Sequence, residues 1–153
     1  TPRSSSAASD VYKRQTLFED EFMLACPTGH PLAARASLRS SDLRGESLLL
    51  LEEGHCLRDH ALEACKLRDS QVTVPYQATS LATIVQMVAN DIGVTLLPGM
   101  AVSAGIVGNA LLTVRSFEQP NVTRKIGLMW RKKTPRRVEF RQLGEMIAGL
   151  IGG

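Results

Sequence analysis

The segment Leu51–Cys65, LEEGHCLRDHALEAC, sets Cys56 and Cys65 nine positions apart, with His55, Arg58, Asp59 and His60 crowded around the first. Thiols in such company admit four chemistries: inert packing, metal ligation, a disulfide, or a thiolate nucleophile. Cys26, in the apolar run MLACP, reads as a small core residue, because unpaired cysteine is among the most buried residue types. Cys56 fits packing badly. It follows Gly54 and His55 at the start of a helical pattern and has polar neighbours on both sides. Helix N-termini and nearby cations favour a thiolate, and His55 and Arg58 are placed to supply charge or hydrogen bonds.

On one continuous helix, nine residues rise about 13.5 Å and turn through about 900°, so the two thiols point to opposite faces. A disulfide needs Cα atoms roughly 4.4–6.8 Å apart. Joining the two cysteines therefore requires the helix to melt, a geometry that suits a sensor better than an enzyme of fixed shape. Cys56 and His60, at i and i+4, share a face and could chelate with His55 or Cys65. Cys65 falls on the wrong face for this, however, and neither CxxC nor HxxxH spacing is present, so no metal is expected. The missing CxxC also tells against thioredoxin-like exchange. Cysteine hydrolase chemistry would want a His and an Asn or Asp placed by the fold. His30, in the turn TGHP, reads as a structural hydrogen-bonding residue.

The totals narrow the setting. With 153 residues, 44% hydrophobic and 22% charged, the chain has enough apolar material for a packed core. Its net charge of +3 is mildly basic, and seven of the eighteen Lys and Arg lie in TRKIGLMWRKKTPRR, from Arg124 to Arg137. Without aromatic interleaving or a recognition-helix pattern, that cluster reads as a solvated strand end and helix start. Three cysteines exclude a fully paired secreted framework. No signal-peptide pattern or membrane-length apolar run is present, so a cytoplasmic location without membrane contact is expected. There a standing disulfide is disfavoured, and a transient one is catalytic or sensing.

The elements that must position these residues alternate along the chain. Residues 1–15, Ser-rich and without period, read as a disordered or non-native tail. EFMLACP (21–27) predicts a strand, SLRSSDLRGE (37–46) a short amphipathic connector, and LLLLEE (48–53) a strand buried on both faces. Residues 56–67 carry a helical pattern. TVPYQATS (73–80) predicts a strand that Pro75 pushes to an edge or distorts. Behind a Ser80 N-cap, Leu81, Ile84, Val85 and Val88 predict a helix closed by Gly93. VTLLP, LLTVRSF and KIGLMWR predict further strands and AVSAGIV (101–107) a short helix. A last helix opens with Thr134 and Pro135 and carries Leu143, Met146, Ile147, Leu150 and Ile151 along one stripe. Strands alternating with helices predict an α/β fold with a mostly parallel sheet. The last helix, with only KIGLMWR to cover its apolar stripe, looks like part of a second, incomplete subdomain.

With these residues in view, EEGHCLRDHALEAC resembles the redox segment of the peroxide-sensing members of the LysR-type transcriptional regulators. EFMLACPTGHPLA, LRGESLLLLEEGHCLRD, ATSLATIVQMVANDIGVTLLP and RKIGLMWR follow that family's regulatory domain in order, from about residue 16 to the C-terminus. The resemblance implies a periplasmic-binding-protein-like effector domain of two α/β subdomains, the first only partly present. Residues 16–125 would form subdomain II with the first crossover strand, and residues 126–153 the return into subdomain I.

Carried over position by position, Cys56 matches the peroxide-reacting cysteine and Cys65 the resolving one. His55, Arg58 and Asp59 match residues around the reactive thiol, and Arg124 a basic residue near the same pocket. The implied partners are hydrogen peroxide, cellular dithiol reductants and further copies of the chain as a dimer or tetramer. DNA would be reached only through a winged helix-turn-helix N-terminal to this segment, and no cofactor is implied. Two alternatives accompany this reading. One is an effector domain in which Ser80, at a helix start, contacts a small anionic ligand in the cleft between subdomains. The other is a cysteine peroxidase, which the helix-melting geometry disfavours.

Overall fold

The structure, a computed structural model, describes residues 11–120 and 122–152. In chain order the elements are β1 (Tyr12–Pro27), two 3-10 turns (Pro31–Ala34 and Ser40–Leu43), β2 (Leu50–Leu51), α1 (Cys56–Ala64), a third 3-10 turn (Asp69–Gln71), β3 (Gln77–Ala78) and α2 (Leu81–Ala89). They continue with β4 (Thr95–Pro98), α3 (Gly99–Ser103), β5 (Leu112–Ser116), β6 (Thr123–Arg131) and α4 (Arg137–Ile151). The chain divides into two compact units: Asp20–Arg124, and a second built from residues before Asp20 and from Lys125 onward.

In the unit Asp20–Arg124, the run Leu48–Leu51 is buried throughout, as a strand covered on both faces must be. Its side chains alternate between two cores. Leu48 and Leu50 pack with Ala61 and Cys65, while Leu49 and Leu51 pack with Ile84 and Val88. The segment containing β2 thus separates a layer built on α1 from a layer built on α2. Each fully buried leucine in this arrangement contributes roughly 2 kcal/mol relative to exposure. Gly93 sits where the chain passes closest to this segment. A Cβ there would stand 2.5 Å from the Ser47 carbonyl oxygen, so only glycine permits the bridge between Leu48 and Val94.

The mostly parallel sheet expected from the alternation is only partly present. β2 and β3 are parallel, as are the bridges Ser47–Thr73 and Leu48–Val94. β1, however, pairs antiparallel with β4 on one side and with β5 on the other. β4 and β5 therefore run in the same direction, joined through α3 as a strand–helix–strand unit should be. The long strand β1 is inserted between them in the opposite sense, which no local periodicity reveals.

Several boundaries also differ from expectation. β1 begins at Tyr12, so residues 12–15 are strand rather than tail; β6 pairs with β1, and strand partners can order a segment with little apolar content of its own. Residues 1–10 lie outside the described residues. The strand expected over 73–80 shrinks to Gln77–Ala78, because Pro75 has no N–H to give a ladder. The helix expected to reach residue 67 ends at Ala64, and that expected over 101–107 occupies Gly99–Ser103.

In the second unit α4 begins at Arg137, two residues after Pro135, with the Thr134 hydroxyl accepting from the Arg136 N–H at 3.3 Å. It packs Phe140 against Trp130 of β6, ring centroids 6.0 Å apart, and buries Gly144. Leu143, Met146, Leu150 and Ile151 remain exposed.

Candidate functional site

The site starts from a tight turn. β2 ends at Leu51, and Glu52–His55 reverses the chain through Gly54 at φ +93°, a left-handed conformation that disfavours any residue with a side chain. The His55 N–H donates to the Glu52 carbonyl at 3.2 Å and closes the turn. His55 is then the N-cap residue of α1 by backbone geometry, but its side chain caps nothing. Cys56 occupies the first helical position, exposed to solvent, where unsatisfied backbone N–H groups collect.

Burial along α1 sorts its residues by face. Arg58, Ala61 and, at the C-cap, Cys65 are buried, with Leu57 partly so; Cys56, Asp59, His60 and Glu63 are exposed. Cys56 and Cys65 therefore occupy opposite faces and opposite ends of one helix, as the nine-residue spacing requires. Cys65 is 2% exposed, and burial pushes its thiol up to about 12. It is a neutral packing residue so long as α1 stands. Cys26 is buried in β1 with its thiol also raised, by burial first, with Arg115 opposing and Glu46 adding to the shift. Its Sγ faces the Thr113 carbonyl at 3.8 Å.

The residues expected around the reactive thiol separate in space. His55 and Asp59 are exposed beside Cys56, and Asp59 lies in the first turn, where a carboxylate suits the helix dipole. Arg58 instead points inward, 6% exposed, with Nη1 donating to the Leu51 carbonyl at 3.3 Å. It borders a small cavity of about 10 Å³ shared with Leu50, Leu57, Ala61 and Ile84, close to the smallest space that holds one water. Arg58 therefore ties α1 to the end of β2 from below, while Cys56 faces solvent. Among the described residues no three His, Cys, Asp or Glu side chains gather as a metal site.

Arg124 is committed to Asp20. Its Nε and Nη2 donate to Asp20 Oδ2 at 3.0 and 2.9 Å, and its guanidinium lies over the Phe22 ring at 5.8 Å. Asp20, 4% exposed, also accepts from the Met100 N–H through Oδ1 at 2.9 Å, so this carboxylate anchors the start of α3. Sequence reasoning missed Asp20. The signal was strand phase: Asp20 shares the inward face of β1 with Phe22 and Leu24, two and four residues on. Ser80 caps α2 by position, is exposed, and makes no side-chain cap bond. His30 matches its structural expectation: Nδ1 accepts from the Leu32 N–H at 3.2 Å and Nε2 lies 3.4 Å from Glu46.

Comparison with known proteins places this geometry in context. The family model "LysR substrate binding domain" matches residues 3–150. A probable hydrogen peroxide-inducible genes activator of Mycobacterium avium is 39% identical over 136 residues, 88% of this chain and 43% of that protein. The DNA-binding transcriptional dual regulator OxyR of Escherichia coli K12 is 37% identical over 145 residues, 95% of this chain and 47% of that protein. The chain thus spans less than half the length of these curated relatives.

Among solved structures, the reduced regulatory domain of OxyR2 from Vibrio vulnificus superposes with a TM-score of 0.80 at 38% identity, covering 92% of this chain and 66% of that one. A crystal structure of the reduced form of OxyR gives 0.78 at 34% identity, covering 95% and 68%. Among the described residues no helix is long and apolar enough to cross a membrane.

Proposed function

The chain belongs to the LysR substrate binding domain family, with OxyR regulatory domains among its relatives, and from that premise we propose that it is the peroxide-sensing part of a transcription regulator rather than an enzyme. The observation that carries the proposal is the placement of its two helix-end thiols: Cys56 exposed at the start of α1, Cys65 buried at its end. In the proposed cycle the Cys56 thiol ionises, and its thiolate attacks the O–O bond of hydrogen peroxide and becomes a sulfenic acid; the departing hydroxide takes up the proton that the thiol released and leaves as water. The Cys65 thiol then condenses with that sulfenic acid, forming the disulfide and releasing a second water. Two thiols are oxidised to one disulfide while one peroxide is reduced to two waters.

The second step supplies the switch. With about 13.5 Å of helical rise between the cysteines, the disulfide forms only as α1 unwinds and Cys65 leaves its core position. That movement removes Cys65 from the cluster it shares with Leu48, Leu50 and Ala61, which forces the surrounding core to repack. In this reading His55 and Asp59 serve the exposed thiol, Arg58 holds α1 to β2 until it unwinds, and Arg124 acts through Asp20. Residues 16–125 are taken as the second regulatory subdomain with its first crossover strand, and residues 126–153 as the return into the first. A dimer or tetramer would transmit the change, DNA would be bound by a separate winged helix-turn-helix, and cytoplasmic dithiol reductants would reset the switch by thiol–disulfide exchange.

The test is to treat reduced full-length protein with a small excess of hydrogen peroxide and map its thiols by non-reducing peptide mass spectrometry. A Cys56–Cys65 disulfide that disappears in Cys56→Ser is expected. Free thiols at both positions with oxidation only at Cys26 would overturn the proposal. A second reading, a small anionic effector at the N-terminus of α2, draws on the exposed Ser80 hydroxyl, which leaves the cap unfilled. It predicts ligand-dependent regulation that survives Cys56→Ser.

A further inference from the structure

A cationic pocket of about 310 Å³ opens at the C-terminal end of α1, on the side away from Cys56. Arg39, Ser41 and Arg44, from the segment around the Ser40–Leu43 turn, form one side; Cys65 and Lys66 form the other, with Gln119 closing it. Arg39, Arg44 and Lys66 are all exposed, and no described acidic residue lines the pocket. None of the three has a carboxylate within ion-pair distance among the described residues, whereas Arg35, Arg124 and Arg136 each have one. Two described carboxylates of the flanking segments have other partners: Asp42 takes Arg35 and the Arg39 N–H, and Glu118 takes the Ser37 hydroxyl.

The frame of the pocket is held by named bonds. Gln119 Oε1 accepts from the Ser40 N–H at 2.8 Å and fixes one wall. Lys66 lies at φ +52°, left-handed and unusual for a residue with a side chain. Two bonds keep it there: Lys66 N–H to the Glu63 carbonyl at 3.0 Å, and Leu67 N–H to the Leu62 carbonyl at 2.9 Å. Together they form the hydrogen-bond pattern that closes a helix C-terminus. Lys66 therefore joins Arg39 and Arg44 around the pocket only while the last turn of α1 is intact.

Three exposed cations with no described carboxylate partner, around a concavity of small-ligand size, favour a compact ligand of multiple negative charge. We propose that this pocket binds a small polyanion bearing two or three phosphate or carboxylate groups, and that its occupancy holds α1 helical with Cys65 buried. The regulatory half of the proposal rests on the peroxide-switch reading; the binding half does not. A ligand bound only to the helical form favours that form by the factor 1 + [L]/Kd, about elevenfold at ten times Kd. Peroxide sensitivity would thereby be set against the level of a cellular polyanion.

The experiment titrates reduced full-length protein by calorimetry with citrate and, separately, with pyrophosphate, at constant ionic strength. One-site binding by either probe is expected, and which of them binds assigns carboxylate or phosphate chemistry. Arg44→Gln and Lys66→Gln should each weaken it at least fivefold, and Arg141→Gln, on α4, should leave it unchanged. Binding no stronger than that of chloride, or wild-type affinity in both pocket variants, would overturn the site.

A second arm measures the Cys56–Cys65 disulfide in a fixed glutathione buffer with and without the bound probe at ten times Kd. A fall of roughly tenfold in the oxidised-to-reduced ratio is expected. A change below twofold would overturn the coupling. If no such disulfide forms at all, the peroxide reading fails while the calorimetric arm still decides the site.

Discussion

Asp20 and Arg124, 104 positions apart in sequence, are joined at 2.9 and 3.0 Å where β1 enters and β6 leaves the unit Asp20–Arg124. The pair closes that unit at its two ends, and through the Met100 N–H it also sets the start of α3. Removing one partner leaves the other's charge uncompensated next to the core. Arg124→Leu should destabilise the unit by about 3 kcal/mol, read from the urea midpoint, because Asp20 stays buried without its cation. Asp20→Asn combined with Arg124→Leu should recover much of that loss, a non-additivity that a merely steric role for Arg124 would not produce.

Thiol accessibility should follow burial. In the reduced native protein, iodoacetamide should label Cys56 first, while Cys26 and Cys65 react only on unfolding. Quantitative peptide mass spectrometry over time checks the order; early labelling of Cys65 would mean that α1 frays at its C-terminus in the resting state.

The Cys65 thiol makes a prediction about alkaline stability. Its folded value of about 12 lies above the ordinary 9.0, so the unfolded chain releases this proton at a lower pH than the folded one does. The stabilisation is fully present below pH 9 and is lost as the pH rises from about 9 toward 12, with a slope approaching 1.4 kcal/mol per pH unit. Cys65→Ala lowers stability throughout by opening a small cavity, but it should flatten that alkaline slope, leaving the smaller contribution of Cys26. Urea titrations at a series of pH values separate the two effects.

Lys66 should tune the switch through backbone strain. Lys66→Gly removes the side-chain penalty at φ +52° and should stabilise the helical, reduced form by roughly 0.5–1 kcal/mol. Stabilising the reduced form makes the disulfide a stronger oxidant, by about 10–20 mV at this two-electron exchange rate. The Cys56–Cys65 midpoint in glutathione buffers measures it. An unchanged midpoint would show that the last turn of α1 survives disulfide formation.

Much of the architecture was legible because burial imprints itself on local pattern. The leucine run 48–51 announced a strand covered on both faces, and Leu81, Ile84, Val85 and Val88 announced the inward face of α2. The opposed faces of Cys56 and Cys65 followed from helical rotation alone. Strand order was not legible, since β1 takes β4 and β5 as antiparallel neighbours through pairings about 70 to 90 residues apart in sequence. The same held for Tyr12–Gln15, which are strand by virtue of a partner rather than of their own composition.

By itself, the sequence determined which residues could react: a cysteine at a helix start amid polar neighbours, a second one nine positions on, and a helix between them that keeps them apart. Those properties depend on residue type and on backbone periodicity, which are local. Only the tertiary structure decided what surrounds each group. It turned Arg58 inward to the Leu51 carbonyl, gave Arg124 to Asp20, buried the Cys65 thiol deeply enough to keep it neutral, and gathered Arg39, Arg44 and Lys66 around one pocket. Desolvation and charge pairing act through space between segments distant along the chain, and only the folded arrangement brings those segments within range.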